Sequence, residues 1–175
     1  MFTETPRLLI RDLEREDLAG LLAISSDPAV SSMNEGYLPA DEAALGKWLD
    51  ETMEHNARQP RQSHNCAVIL KATSQLIGYI GFGVPSEPGQ GDIDFGYALN
   101  HAYWNQGYMT EAVRSMLAYC FDVIGAHTVT AYHLDFNPAS GRVMQKAGMR
   151  LDQDKMHDQQ AGEVHYILTA EDWRH

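Results

Sequence analysis

The chain has few of the features that mark disulfide-stabilised or nucleic-acid-binding proteins. Only 2 of its 175 residues are cysteines, Cys66 and Cys120, and both lie in apolar runs. One such pair is no disulfide framework, so we expect a reducing compartment. Lysine and arginine number 13 against 24 aspartate and glutamate residues, which gives a formal net charge of -11. Non-specific nucleic-acid binding needs a basic face, so this charge argues against it.

Long hydrophobic runs are also missing. No uninterrupted apolar stretch is long enough to cross a bilayer, and the first residues carry charges without the apolar core of a signal peptide. We therefore expect a soluble, cytoplasmic protein that binds neither membrane nor nucleic acid. The acidic charge suits a cationic substrate such as an amine, but it also serves solubility alone.

Several catalytic motifs are absent. The sequence has no Gly-Lys-Ser/Thr after a glycine-rich loop, no nucleophile elbow and no HExxH among its 8 histidines. His127 and His133 share a predicted strand face, but two ligands without a third make a poor metal site. Gly78, Gly81 and Gly83 lie inside a strand pattern with no helix after them, which argues against a dinucleotide fingerprint. Kinase, nucleotide-hydrolase and metal-dependent functions are therefore disfavoured.

The hydrophobic pattern predicts one mixed α/β domain over residues 1–175. Hydrophobic residues make up 44% and charged residues 21%, as in an ordinary globular protein. Alternating patterns predict strands at residues 7–13, 65–72, 76–84, 92–99, 127–134, 149–155 and 163–169. Helical spacing predicts helices at residues 17–25, 41–56, 108–124 and 139–147. Asp41 and Gly148 are the expected N-cap and C-cap, and loops are expected at 73–75, 85–91 and 158–162. We expect a mostly antiparallel sheet with a parallel pair where the long helix crosses over.

The stretch from Asp92 to Ile124 contains a strand, a loop and an amphipathic helix. Gly107 lets the loop turn tightly, after which the first helix amides point outwards without intrahelical partners. Free N–H groups at the positive end of a helix dipole form a site for a diphosphate. We therefore predict that this loop holds the pyrophosphate of a cofactor.

Seven segments in order along the chain carry a resemblance to a known family. They are TPRLLIR at 5–11, IGYIGF at 77–82, DFGYAL at 94–99, YWNQGYMTEA at 103–112, NPAS at 137–140, KAGM at 146–149 and EDW at 171–173. Together they resemble the GNAT superfamily of acetyl-CoA-dependent N-acetyltransferases. Within it, they are similar to the branch named for the RimJ/RimL ribosomal-protein N-acetyltransferases.

The resemblance implies the acyl-CoA N-acyltransferase fold, an α+β arrangement of a twisted, mostly antiparallel sheet flanked by helices. In this fold the fourth and fifth predicted strands splay apart, and the pantetheine arm of acetyl-CoA lies in the gap. Backbone groups of Tyr97, Ala98 and Leu99 would pair with pantetheine as a neighbouring strand does. The other residues implied in coenzyme binding are Trp104, Asn105, Gln106, Gly107, Tyr108, Met109, Thr110, Asn137 and Ser140. No metal is implied, and the protein would be a monomer or a homodimer.

The implied reaction moves an acetyl group directly from acetyl-CoA to a primary amine, either a protein N-terminus or a small molecule. Asp94 would accept the amine proton, directly or through water, or it is a surface carboxylate. Ser140 would relay a proton to the departing sulfur, or it caps a helix. Glu163 and Tyr166 would border the acceptor pocket.

Three positions depart from the family pattern. Asn105 and Met109 replace small residues in the loop, and Met144 stands where many members carry a catalytic tyrosine. Asn tolerates a left-handed backbone, whereas the bulk of Met109 would narrow the approach. These departures motivate the alternative of a CoA-binding sensor or interaction module with little turnover. A Rossmann-type domain is a third possibility, which the predicted sheet order and the absent fingerprint disfavour.

Overall fold

The computed structural model describes residues 2–33, 38–84, 92–155 and 162–174. Within these ranges, eight strands form one sheet. They are β1 (Phe2–Glu4), β2 (Leu8–Asp12), β3 (Ser63–Leu70), β4 (Gln75–Gly83), β5 (Ile93–Leu99), β6 (Thr128–Leu134), β7 (Arg150–Leu151) and β8 (Glu163–Thr169). The α-helices are α1 (Leu18–Ser25), α2 (Pro28–Ser31), α3 (Glu42–Ala57), α4 (Tyr108–Ala118), α5 (Pro138–Lys146) and α6 (Ala170–Trp173).

The sheet separates at its centre. Its order is β1-β2-β3-β4-β5-β6-β8-β7, and every neighbouring pair is antiparallel except β5 and β6. The parallel pair is joined by the α4 crossover, which confirms the predicted architecture. Only Ile93 and Asp94 of β5 pair with β6, whereas β5 pairs with β4 as far as Leu99. The second half of β5 therefore has an edge that β6 does not cover.

Two apolar cores pack on opposite faces of the sheet. On one face, the buried side of α4 (Ala112, Val113, Met116) joins Ile93 and Phe95 of β5. On the other face, α1 and α3 pack over β3 and β4, and Trp48 meets Tyr79 edge-to-face with ring centroids 5.5 Å apart. Trp48 and Met53 both pack against this second core, which accounts for their apolar side chains.

The predicted helix boundaries have clear local causes. Asp41 Oδ1 accepts the Ala44 amide at 2.8 Å, so the predicted N-cap of α3 is confirmed. Gly148 adopts a φ of 103° just after α5, a left-handed conformation that ends the helix as predicted. Ser74 adopts a φ of 56° in the turn that joins β3 to β4.

Four details differ from the sequence prediction. Strand β1 is too short to show alternation, and the short helix α2 follows α1 where no helix was predicted. The long helix is α-helical to Ala118 and continues as a π-helical segment, Tyr119–Ile124. The strand predicted at 149–155 shortens to β7, because Asp152 Oδ1 accepts the Asp154 amide and turns the chain. The predicted loop at 85–91, and that at 158–162 up to residue 161, lie outside the described residues.

Candidate active site

A cavity of about 300 Å³ lies beside the uncovered edge of β5. Its walls come from β5, the loop before α4, the first turn of α4, and α5 with the residues that precede it. The predicted coenzyme-binding residues that line it are Tyr97, Ala98, Leu99, Trp104, Asn105, Gly107, Tyr108, Met109, Thr110, Asn137 and Ser140. Gln106 does not line the cavity, because its side-chain amide donates to the Ala102 carbonyl outside it.

The loop before α4 presents free main-chain donors. Asn105 has a φ of 60° and Gly107 a φ of 79°, so both adopt the left-handed conformation, which Asn was expected to tolerate and Gly adopts readily. Among the described residues no side chain caps α4, and its first helical bond runs from Glu111 N–H to the Gly107 carbonyl. The amides before Glu111 therefore have no intrahelical acceptor. Alternating backbone conformations of this kind form an anion-binding concavity.

Arg7 and Glu111 brace this loop from outside, a contact that the sequence analysis missed. Arg7 Nε donates to Glu111 Oε2 at 2.6 Å, and its Nη1 donates to the Gln106 carbonyl at 2.9 Å. The guanidinium carbon also lies 4.4 Å from the centre of the Tyr108 ring. The brace fixes the direction of the loop carbonyl, which keeps the neighbouring amides turned outwards.

The uncovered edge of β5 exposes alternate backbone groups. Asn100 N–H donates to the Ile77 carbonyl at 2.8 Å, so residues 100 and 98 direct their backbone groups towards β4. By the same alternation, the backbone groups of Tyr97 and Leu99 point into the gap. The Leu99 carbonyl accepts the Trp104 indole N–H at 2.8 Å. The Ala98 backbone is therefore paired with β4, and Tyr97 and the Leu99 amide supply the free strand edge.

The cap of α5 decides one open question about Ser140. Asn137 is the N-cap, and its Oδ1 accepts the Ser140 amide at 3.4 Å. Ser140 therefore does not cap the helix. Its Oγ lies 2.7 Å from the phenol oxygen of Tyr97, on the cavity wall.

Met109 and Met144, two of the departures noted in the sequence, both pack into the core. Met109 is 3% exposed and its side chain packs in the core, where the absence of a side chain at Gly78 leaves it room. Met144 is also buried in the core, so no phenol reaches the cavity from that turn of α5.

Asp94 lies outside the cavity lining, on the opposite face of β5 from Tyr97. It pairs with Thr130 of β6 at the point where the strands separate, and its side chain is exposed. Loss of hydration around the carboxyl group raises its pKa, although the Phe95 amide and the charge of His165 act in the opposite direction. A raised pKa strengthens a carboxylate as a proton acceptor.

Glu163 and Tyr166 occupy different surroundings. Glu163 Oε2 lies 3.0 Å from His165 Nε2 on the sheet face that also carries Asp94. Tyr166 faces the other way, is 3% exposed, and its phenol oxygen accepts the Gln145 amide at 3.1 Å. Burial beneath α5 thus separates Tyr166 from both Asp94 and Glu163, contrary to the expectation that Tyr166 borders an acceptor pocket.

Two basic residues of α5 complete the cavity wall. Arg142 and Lys146 lie one helical turn apart and both are exposed. Their spacing after Ser140 is visible in the sequence, and it could have identified them as residues of the cavity wall. In a chain of net charge -11, two cations at one cavity mark a place for an anion.

These features fit acetyl-CoA. The ligand would need anion donors for its phosphates, a strand-like edge for its amide-containing arm, and apolar walls. The loop amides supply the anion donors, and β5 supplies the strand-like edge. Residues such as Val30 and Val143 supply the apolar walls. Among the described residues, no group of three or more His, Cys, Asp or Glu side chains could hold a metal ion.

Comparisons with known proteins agree with this geometry. Residues 7–150 match the model of the acetyltransferase (GNAT) domain family. An uncharacterized N-acetyltransferase, YnaD, of Bacillus subtilis is 32% identical over 151 residues, which cover 86% of this chain and 83% of the relative. The structure of a GNAT-family acetyltransferase from Bacillus anthracis has a TM-score of 0.78 at 28% identity, covering 98% of this chain and 99% of the other. The structure of AAC(6')-Ib in complex with ribostamycin and coenzyme A, at 15% identity, has a TM-score of 0.75 and covers 96% of each chain.

The chain belongs to the GNAT acetyltransferase family. Its sheet and flanking helices form the fold of that family, and its relatives are N-acetyltransferases. Within the described ranges, no helix is both long and apolar enough to cross a membrane.

Proposed function

We propose that the protein transfers an acetyl group from acetyl-CoA directly to a primary amine. The observation that carries this proposal is the cavity that joins the open amides around Gly107 to the hydroxyl of Ser140 along the free edge of β5. Main-chain donors that could hold a phosphate and a hydroxyl on the wall of the same cavity suit an extended thioester.

The coenzyme would be held by groups of three kinds. The amides of the 105–110 loop would bind the pyrophosphate, and Arg142 and Lys146 would add positive charge. The Tyr97 backbone and the Leu99 amide would pair with pantetheine. Asn137 would act on the site as the α5 cap, because its side chain already accepts the Ser140 amide.

The reaction needs a free amine and a stabilised leaving group. The amine nitrogen attacks the thioester carbon, the carbon–sulfur bond breaks, and its electron pair stays on sulfur. Asp94 would accept the amine proton, and Ser140 would donate to the departing sulfur. Asp94 lies three residues before Tyr97, about 10 Å along the strand, so its route to the amine runs through water.

The acceptor is a primary amine, either a protein N-terminus or a small molecule. The net charge of -11 supports a cationic acceptor, and Glu163 would add to the negative field on the Asp94 side. The RimJ/RimL-like motifs support a peptide N-terminus, in a cytoplasmic setting. Tyr166 has no part in this proposal, because it is buried under α5.

A CoA-binding sensor without turnover is not favoured. Three sequence departures suggested this alternative: Asn105, Met109 and the missing tyrosine at position 144. Asn105 takes up the left-handed conformation without difficulty, and Met109 packs into the core. Ser140 offers a hydroxyl on the cavity wall in place of the tyrosine.

The proposal is tested by calorimetric binding of acetyl-CoA together with release of free thiol. The acceptor panel contains N-terminal peptides, amino acids, aminoglycosides and polyamines. We expect binding and amine-dependent thiol release with at least one acceptor class. Binding without release across the panel would favour the sensor, and absence of binding would refute both.

A further inference from the structure

The phenol of Tyr97 crosses from β5 to α5 and contacts a single residue twice. Its oxygen lies 2.7 Å from Ser140 Oγ and 3.0 Å from the Ser140 carbonyl oxygen. Tyr97 and Ser140 both line the cavity. The contact joins the strand edge to the residue that we place beside the departing sulfur.

Close packing holds α5 at this distance. Gly141 follows Ser140, and a Cβ at that position would lie 2.5 Å from His133 Nε2 and 2.9 Å from the Tyr166 phenol oxygen. A side chain at that position would have to displace the ends of these two buried side chains, which the glycine leaves in place. The carbonyl and hydroxyl of Ser140 are therefore held against the phenol.

The hydroxyl groups of Tyr97 and Ser140 have two protons to donate. Three oxygens are close enough to accept them: the Tyr97 phenol oxygen, Ser140 Oγ and the Ser140 carbonyl oxygen. When the Tyr97 proton is donated to the Ser140 carbonyl, the 2.7 Å contact requires Ser140 to donate to the phenol oxygen. When the Tyr97 proton turns to Ser140 Oγ instead, the serine proton is free to point into the cavity. These arrangements differ only by rotation of two hydroxyl groups.

We propose that Tyr97 is a positioning residue that orients the Ser140 hydroxyl, so that this hydroxyl donates a hydrogen bond to the departing sulfur. This inference rests on the proposed acetyl transfer. As the carbon–sulfur bond breaks, Ser140 donates to the negative sulfur and Tyr97 donates to Ser140 Oγ. Neither residue loses its proton, and the thiolate takes a proton from water as it leaves.

The burial of Tyr97 supports this role. Burial raises the pKa of the phenol, although the hydrogen bond with Ser140 lowers it in part. The phenol therefore keeps its proton across the neutral and alkaline range, and it remains a donor while thiolate charge develops. A phenol from β5 thus stands in for the one that Met144 cannot supply from α5.

The test compares binding of coenzyme A with binding of desulfo-coenzyme A, in which hydrogen replaces the thiol. Calorimetry between about pH 7 and 9.5 follows the thiol through its ordinary ionisation range. For the wild type, the preference for coenzyme A should grow as the pH rises, because the bound thiolate is stabilised. Tyr97→Phe and Ser140→Ala should each reduce this alkaline preference about tenfold, the size of a hydrogen bond to a charged group. The double variant should lose no more than Ser140→Ala alone.

Tyr79→Phe is the matched control. It removes another buried phenol, which donates to Asn65 Oδ1 at 2.6 Å outside the cavity, and should leave the preference unchanged. A purely structural role for Tyr97 predicts that Tyr97→Phe weakens the binding of coenzyme A and of desulfo-coenzyme A by the same factor. That result would overturn this inference but not the proposed function. An unchanged preference in Tyr97→Phe, or additive effects in the double variant, would do the same. Failure of the wild type to bind coenzyme A would overturn the proposed function, and the inference with it.

Discussion

The guanidinium of Arg7 and the carboxylate of Glu111 join the start of the chain to the coenzyme loop. Glu111 Oε1 also accepts the Arg7 amide at 3.0 Å, so side chain and backbone of Arg7 both end on one carboxylate. The same arginine holds the Gln106 carbonyl. Disturbing this pair should therefore act on the loop from outside, through the Gln106 carbonyl and through the Tyr108 ring that lines the cavity.

Arg7→Ala should weaken coenzyme A binding about tenfold, because the loss of a charge-assisted hydrogen bond costs roughly 1.5 kcal/mol or more. Calorimetry measures the change. The control is Lys71→Ala, which breaks the neighbouring surface pair of Lys71 Nζ with Glu4 at 2.8 Å. Equal losses in both variants would show that Arg7 acts only through general stability.

Glu111→Gln should lower the free energy of unfolding at pH 7. This reduction should become smaller as the pH falls into the acid range. Burial of Glu111 opposes its ionisation, but hydrogen bonds from Thr5 and Arg7 outweigh this and hold its pKa below the ordinary 4.5. The carboxylate therefore adds stability above that pH, and the contribution is lost as the pH falls through the lower folded pKa. Urea unfolding at pH 7 and at about pH 4 measures the difference, and a difference independent of pH would contradict the assignment.

Asp94→Asn should lower kcat/KM about a hundredfold at neutral pH, the lower range for a general base. The raised pKa of Asp94 means that this carboxyl group ionises at a higher pH than the ordinary 3.8. The acid limb of the pH profile should therefore lie above 3.8 and disappear in the variant. Stability from this carboxyl group is lost as the pH rises through its folded pKa, so Asn should not destabilise the protein at pH 7. Asp92→Asn, an exposed carboxylate two residues earlier, is the control, and an equal loss there would sink the assignment.

Lys146→Ala should weaken coenzyme A binding several-fold, with a smaller effect at high salt, because an exposed charge acts on phosphate through a screened field. Calorimetry at two ionic strengths measures this. Lys47→Ala removes an exposed lysine of α3, paired with Glu51 at 3.8 Å, and should change nothing. A salt-independent loss in Lys146→Ala would point to packing instead of charge.

The parts of the site that are continuous in sequence were predictable. Alternation placed Tyr97 and Leu99 on one face of β5, and the spacing after Gly107 predicted a helix with open amides. Asn105 was expected to accept a left-handed backbone, and its φ of 60° agrees. Such features depend on local propensity, which a short stretch of sequence carries by itself.

The remaining parts depend on register and on contacts between distant residues. Tyr97 and Ser140 are 43 residues apart, and Arg7 and Glu111 are 104 apart. Alternation places Tyr166 on the same face of β8 as Val164 and Leu168, but its pairing with Ala131 follows from the register between β6 and β8, which residues 163–169 do not reveal. The role of Asn137 as the cap was hidden because Asn137 and Ser140 are both common at helix starts.

The loop at Gly107 gives the most direct test of the whole account. Gly107→Ala forces a side chain onto a φ of 79°, at a strain of about 1–2 kcal/mol, and Gly125→Ala does so at 76° with no heavy atom within 4 Å of the new Cβ. Calorimetric titration with coenzyme A should show clear binding to the wild type and to Gly125→Ala, and about tenfold weaker binding to Gly107→Ala. Equal affinities in all three proteins, or no binding to the wild type, would contradict the claim that the loop amides hold the diphosphate.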